Sequence, residues 1–161
     1  MADTFSWLEP TAWCVIALNK AGAQTPGAAA RIEEAEKLIL NRTCESGGWN
    51  FGNAAVIGQD LRPYVPTTAL ALLALQKRRD APEVVKSVAW LREARLKEPS
   101  AMALALTTIW LRLYGLSADD VEARLADDVE RAGRVGNLQT LAMMLYALSA
   151  STHDMRTFRV G

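Results

Sequence analysis

The chain has 161 residues, 50% hydrophobic and 22% charged, and its 18 basic residues balance its 18 acidic ones. That composition excludes a disordered chain, and zero net charge removes the electrostatic reason to expect a nucleic-acid partner. With only Cys14, Cys44 and His153 available, a disulfide framework and a zinc site of the common multi-ligand kind are excluded too.

The length suits one domain over residues 1–161 with a sizeable core. Residues 1–13 carry no basic stretch ahead of their apolar residues, which predicts no secretory signal. No apolar run approaches the ~20 residues of a membrane-spanning helix. The expectation is a cytoplasmic protein of bacterial type. Pro10–Asn19 is the first element, apolar over most of its circumference, as expected of a helix buried on nearly all sides. Ala28–Cys44 is amphipathic, with Ile32, Ala35, Leu38 and Ile39 on one face. Glu33, Glu34, Glu36 and Lys37 lie on the other. Glu45–Val65 has no helix signal; it holds Gly47, Gly48, Gly52, Gly58 and Pro63 and reads as a loop. Pro66–Gln76 is a second apolar helix, opened by a proline whose missing N–H has no intrahelical partner in the first turn. Ala81–Leu96 is amphipathic, with Val84, Val85, Val88, Trp90 and Leu91 expected inside. Pro99–Arg112 is the third apolar helix. Ser117–Ala132 spaces Val121, Leu125 and Val129 four apart, with Ser117 as the expected N-cap and Asp119 and Asp120 in the first turn. Gln139–Ser149 is the fourth apolar helix. In the tail Ser151–Gly161, Phe158 and Val160 are expected to cover one end of the helices.

Apolar and amphipathic helices therefore alternate, and Pro66 and Pro99 lie 33 residues apart. The predicted fold class is all-α: about seven helices as α-hairpin repeats, the apolar ones side by side and the amphipathic ones outside them.

Residues 45–52 read ESGGWNFG, and they follow a predicted helix end. With Trp7-Leu-Glu-Pro-Thr-Ala-Trp13 and Tyr64-Val-Pro-Thr-Thr-Ala-Leu70, they resemble the repeat of the terpenoid cyclase and protein prenyltransferase families, the α/α toroid that includes squalene–hopene cyclases. In that family a helix with a Gln near its end leads into Gly-x-Trp. Here Gly47-Gly48-Trp49 fits, while Asn41 or Arg42 stands in the Gln slot. The resemblance implies a partial α/α toroid, a packing role for Trp49 between hairpins and an apolar, isoprenoid-like ligand. Elementary sterics agree: glycines permit a tight reversal, and a Trp after it offers a large flat surface to pack.

The family's chemistry lacks its residues here. The protonating cyclases carry Asp-x-Asp-Asp at the start of an inner helix, where this chain has Tyr64-Val65-Pro66-Thr67. The zinc of the prenyltransferases needs Asp, Cys and His, but Cys44 has no Asp two residues before it, and nothing in the spacing joins it to His153. The magnesium-binding Asp-rich motifs and the Gly-Cys-Gly-Glu-Gln thioester run are absent. Asp119-Asp120 and Asp127-Asp128 read as a solvated helix face. No cofactor and no metal are expected, and catalytic residues stay unassigned.

In toroids the N-terminal ends of the inner helices face the central cavity. By that resemblance the ligand-binding candidates are Trp7, Glu9 and Trp13, then Tyr64, Thr67 and Thr68, then Met102, and last Gln139, with Thr11, Ser100 and Met143 beside them. Such a mixture suits an apolar ligand with few polar anchors. Glu9 is the only acid among them. It is either a ligand contact or an acid favoured by the positive end of its helix.

A closed ring of this kind has about twelve helices. Seven would leave apolar flanks. A homodimer or another partner completing the ring, a piece of a longer protein and an open solenoid all stay open. The expected function is binding of a hydrophobic small molecule without the family's acid. The alternatives are a helical-repeat protein–protein interaction scaffold and a cyclase-type enzyme whose acid is unassigned, with Glu9 its best candidate. Tetratricopeptide repeats share the period, but their Trp-x-x-Leu-Gly-x-x-Tyr signature is missing.

Overall fold

The computed structural model describes residues 6–22, 25–135, 137–149 and 154–160, and of residues 130–135 the backbone only. Seven helices follow in order: α1 (Leu8–Ala21), α2 (Ala28–Leu40), α3 (Val65–Ala74), α4 (Pro82–Ala94), α5 (Ala101–Leu113), α6 (Asp119–Val135) and α7 (Leu138–Leu148). The fold is all-α in two layers. α1, α3, α5 and α7 form an inner row in which each packs on the next; α2 lies against α1, α4 against α3, and α6 against both α5 and α7.

Position in the row decides how far each apolar helix is buried. α3 is buried at every residue except Pro66, and α5 from Ala103 through Leu111. The outermost helices are not enclosed as their composition predicts. α1 buries Leu8, Ala12, Val15 and Ile16, and α7 only Met144 and Ala147. Leu138, Ala142 and Leu145 form an exposed apolar stripe on α7, because no further inner helix covers that flank.

The amphipathic helices follow their periodicity with three corrections. Val85 is exposed, because Val84, Ser87 and Leu91 make the buried i, i+3, i+7 stripe and Val85 falls to one side of it. Glu36, expected in solvent, is buried and pairs at 2.7 Å with Arg78, which follows α3. Ser117 lies one residue ahead of the cap: the carbonyl of Ala118 accepts from Val121 and Glu122, and the Ser117 hydroxyl instead meets the Asp119 carboxylate at 3.0 Å.

The loop between α2 and α3 contains a small antiparallel ribbon not anticipated from the sequence, β1 (Ala55–Val56) with β2 (Gln59–Asp60). Its reversal places Ile57 and Gly58 at positive φ. Ahead of it, the Gly47-Gly48-Trp49 turn fixes the path between layers. Gly47 and Gly48 have φ of 88° and 76°. A Cβ at Gly48 would lie 2.8 Å from both Pro63 Cβ and Thr68 Oγ1 and 2.9 Å from the Trp90 ring. Trp49 is fully buried, and its indole N–H donates to the Ile39 carbonyl at 2.7 Å. The turn thus touches α2, α3 and α4 at once.

The segment 154–160 folds back toward the C-terminal ends of the inner helices and bridges the first and last of them. Phe158 sits between Trp13 of α1 and Tyr146 of α7, with ring centroids 5.7 and 5.4 Å away. Gln76 donates to the Phe158 carbonyl and accepts from Val160 N–H. Phe158 and Val160 are buried, as expected of a covering segment.

Gly48→Ala should lose roughly 2–4 kcal/mol of stability in urea unfolding, because left-handed backbone and overlap act together. Gly27 has φ of 78° with open space around its Cβ position, so Gly27→Ala should lose only about 1 kcal/mol. A second test concerns Tyr114. Its hydroxyl donates to the Leu72 carbonyl at 3.1 Å, and the Arg79 guanidinium lies 3.9 Å over its ring. Burial, partly offset by Arg79, pushes the phenol up to about 12. The unfolded phenol ionises near pH 10. The stabilisation is therefore complete below about pH 10 and declines as pH rises toward about 12. Urea midpoints measured across that window should fall more steeply for the native sequence than for Tyr114→Phe.

Candidate ligand-binding cavity

The first turns of α1, α3, α5 and α7 converge on a cavity of about 410 Å³. Two tiers of side chains line it. Glu9, Thr67, Met102 and Gln139 come from the first turns, and Trp13, Leu70, Leu106 and Met143 lie one turn deeper on the same helices. The tiers repeat because residues three or four apart share a helix face. The deeper tier is apolar throughout. Helix starts supply the polar rim, since hydroxyl and amide side chains are favoured there as caps. Ser100 Oγ accepts from Ala103 N–H at the start of α5, and Asn137 Oδ1 accepts from Thr140 N–H at 3.0 Å at the start of α7.

Five of the eight residues singled out in the sequence, Glu9, Trp13, Thr67, Met102 and Gln139, line this one cavity. The other three do not. Thr68 is fully buried, and its hydroxyl accepts the Trp49 backbone N–H at 2.9 Å; its neighbour Thr67 donates to the Trp49 carbonyl at 2.5 Å. Trp7 and Tyr64 lie outside, on a shallower groove of about 350 Å³ shared with Phe51, Val56 and Leu61. Both sit just before the helical turn they were assigned to, so their side chains miss the convergent face: Trp7 is the N-cap of α1 and Tyr64 that of α3. The Phe51 and Tyr64 rings lie 5.3 Å apart, and Phe51 lines both the groove and the cavity.

Phe51, Leu70 and Leu106 were missed, as were Pro66, Asn137 and Thr140 at the helix starts. The two leucines carry a readable signal, at three residues after Thr67 and four after Met102. Phe51 carries none, because the loop delivers it: its carbonyl accepts from Leu8 N–H at 3.0 Å, and Asn50 Oδ1 accepts from Gly52 N–H at 2.8 Å beside it.

Among the described residues no group of three or more His, Cys, Asp or Glu side chains could hold a metal. The pairing of Cys44 with His153 falls on a histidine outside the described residues. Cys44 itself is buried, which pushes its thiol up, and it contacts Asn50 Nδ2 at 3.7 Å. Cys14 is exposed. Asp119 and Asp120 face solvent and reach Arg112 and Arg95 at 3.8 and 3.1 Å. Among the described residues no helix is long and apolar enough to cross a membrane.

The separate duties of neighbouring threonines can be measured. Thr68→Val strands a buried N–H and should lower stability by about 1–3 kcal/mol, whereas Gln139→Ala, at an exposed rim position, should stay within about 0.5 kcal/mol of the native value in the same urea titration.

No family model, no curated protein and no solved structure matches this chain.

Proposed function

We propose that the chain binds an apolar small molecule in the cavity at the N-terminal ends of its inner helices, as a terpenoid cyclase/prenyltransferase-like repeat domain without the family's acid. The observation that carries this reading is the two-tier lining. Four helices place Trp13, Leu70, Leu106 and Met143 around one space, with a sparse polar rim above them. Small-molecule sites have this composition: apolar walls that supply affinity and a few polar groups that orient the ligand. Its volume of about 410 Å³ falls within the usual range of roughly 300–1,000 Å³. The turn through Gly47, Gly48 and Trp49 supports the family assignment, since each residue does there what the resemblance implies: two reverse the chain and one packs between hairpins. A diphosphate-ionising or acid-initiated reaction is not part of the proposal, because the motifs for it are absent from the sequence.

A second reading has its own observation. Trp7, Phe51, Val56, Leu61 and Tyr64 are all exposed around the shallower groove, and Ile57 stands at the ribbon tip almost fully in solvent. Exposed apolar groups gathered in this way favour a protein partner, either a second copy or another chain that completes the ring.

Native mass spectrometry of the purified protein separates the readings. A mass above a whole number of chains by a lipid-sized increment is expected. Met143→Trp, which fills the deeper tier from a half-buried position, should abolish the increment while leaving the subunit count unchanged. A bare mass for the native protein, after incubation with a graded set of isoprenoid alcohols, overturns the ligand reading and leaves the interaction surface as the better one.

A further inference from the structure

Four helix starts around one cavity would ordinarily make an anion site, because unpaired N–H groups and the positive ends of the helix dipoles point the same way. Here the four starts are poorly equipped for it. Pro10 and Pro66 remove backbone donors from the first turns of α1 and α3. At α5 and α7, Ser100 and Asn137 already hold N–H groups through their own side chains. Among the described residues no Lys or Arg lines the cavity, and Glu9 is the one charged residue that does. Glu9 is exposed on the first turn of α1 and forms no ion pair with a described residue. Trp13 and Phe51 line the same space, and aromatic rings attract cations more than anions.

We infer that the cavity selects apolar molecules ending in a cationic amine, with Glu9 receiving the ammonium group and the deeper tier holding the hydrocarbon. This rests on the reading of the cavity as an apolar-ligand site, and it adds the chemistry of the ligand's polar end. The chain's net charge is zero, so overall charge favours neither sign of head group.

Three probes of one length, decylamine, decanol and decanoate, isolate the head group. Titration calorimetry at neutral pH, below the critical micelle concentrations, should find decylamine binding roughly tenfold more tightly than decanoate, the size of gap that one partly exposed charge supplies by attracting one head group and repelling the other. Decanol should fall between. Glu9→Gln, a change at an exposed position, should remove the advantage of the amine over decanol. Decanoate binding as tightly as the amine overturns the inference, and so does an amine advantage that survives Glu9→Gln. In both cases the apolar-ligand reading still stands, because the probes bind. Failure of all three probes to bind overturns both.

Discussion

At Gly48 there is no room for a side chain: Pro63, Thr68 and Trp90 already occupy the space a Cβ would take. Most of the architecture depends on that crowding. It brings the chain leaving α2 hard against the starts of α3 and α4 and puts Trp49 into the seam. Trp49 then fills the space beneath α2, and its main chain is held by the hydroxyls of α3. The backbone N–H of Gly48 donates to Ser87 of α4 at 2.8 Å, so the same turn fastens the outer layer. A hydroxyl at a helix start usually serves its own helix. Thr68 serves the neighbouring turn instead, and Thr67 shares its hydroxyl between the Trp49 carbonyl at 2.5 Å and the Tyr64 carbonyl of its own helix start at 3.1 Å. A local steric limit thereby becomes a link between layers.

The cavity follows from this packing. Once helix starts are drawn to one side, each inner helix presents a first-turn residue and the residue one turn below to a shared space. No described residue of the outer helices lines it; they pack on the backs of the inner ones. The middle helices of the row are saturated with contacts, while the end helices keep one free side. The exposed leucines of α7 and the aromatic groove beside α1 are two places where the described residues offer apolar surface to a neighbour, besides Val85 and Leu96 on the outer layer.

Much of this was legible in the residues. The alternation of uncharged and amphipathic segments gives the two layers, because a helix without a polar face has to be surrounded. GGW gave the turn, since adjacent glycines before a Trp leave little else for the chain to do. The convergence of Glu9, Thr67, Met102 and Gln139 was reachable from the assignment of helix starts. What could not be read was phase. Trp7 and Tyr64 each lie two residues ahead of the nearest cavity residue of their helix, Glu9 and Pro66, and at 100° per residue that sends a side chain to another surface. Thr67 and Thr68 are identical in type, and only the position of Trp49 tells them apart. Burial of Glu36 depends on Arg78, forty-two residues away in sequence, a pairing that no local pattern records. The ribbon at Ala55–Asp60 escaped because two paired residues per strand leave no alternation to detect.

Phe158 has a consequence for the order of assembly. It lies between Trp13 and Tyr146, and nearby Lys20 reaches the carbonyl of Arg156 across a sequence separation of 136 residues. Contacts that distant are slow to form, because a long loop must close before they repay it. A chain emerging from the ribosome N-terminus first can lay α1 to α5 together as local pairs, yet the wedge between the first and last inner helices cannot be set until residue 158 has appeared. Until then Trp13 has no aromatic partner from the tail, and that end of the row stands open. The nascent protein therefore passes through a stage in which most of its helices are paired and its interior is still accessible, a stage in which a hydrophobic molecule or a chaperone has its easiest entry.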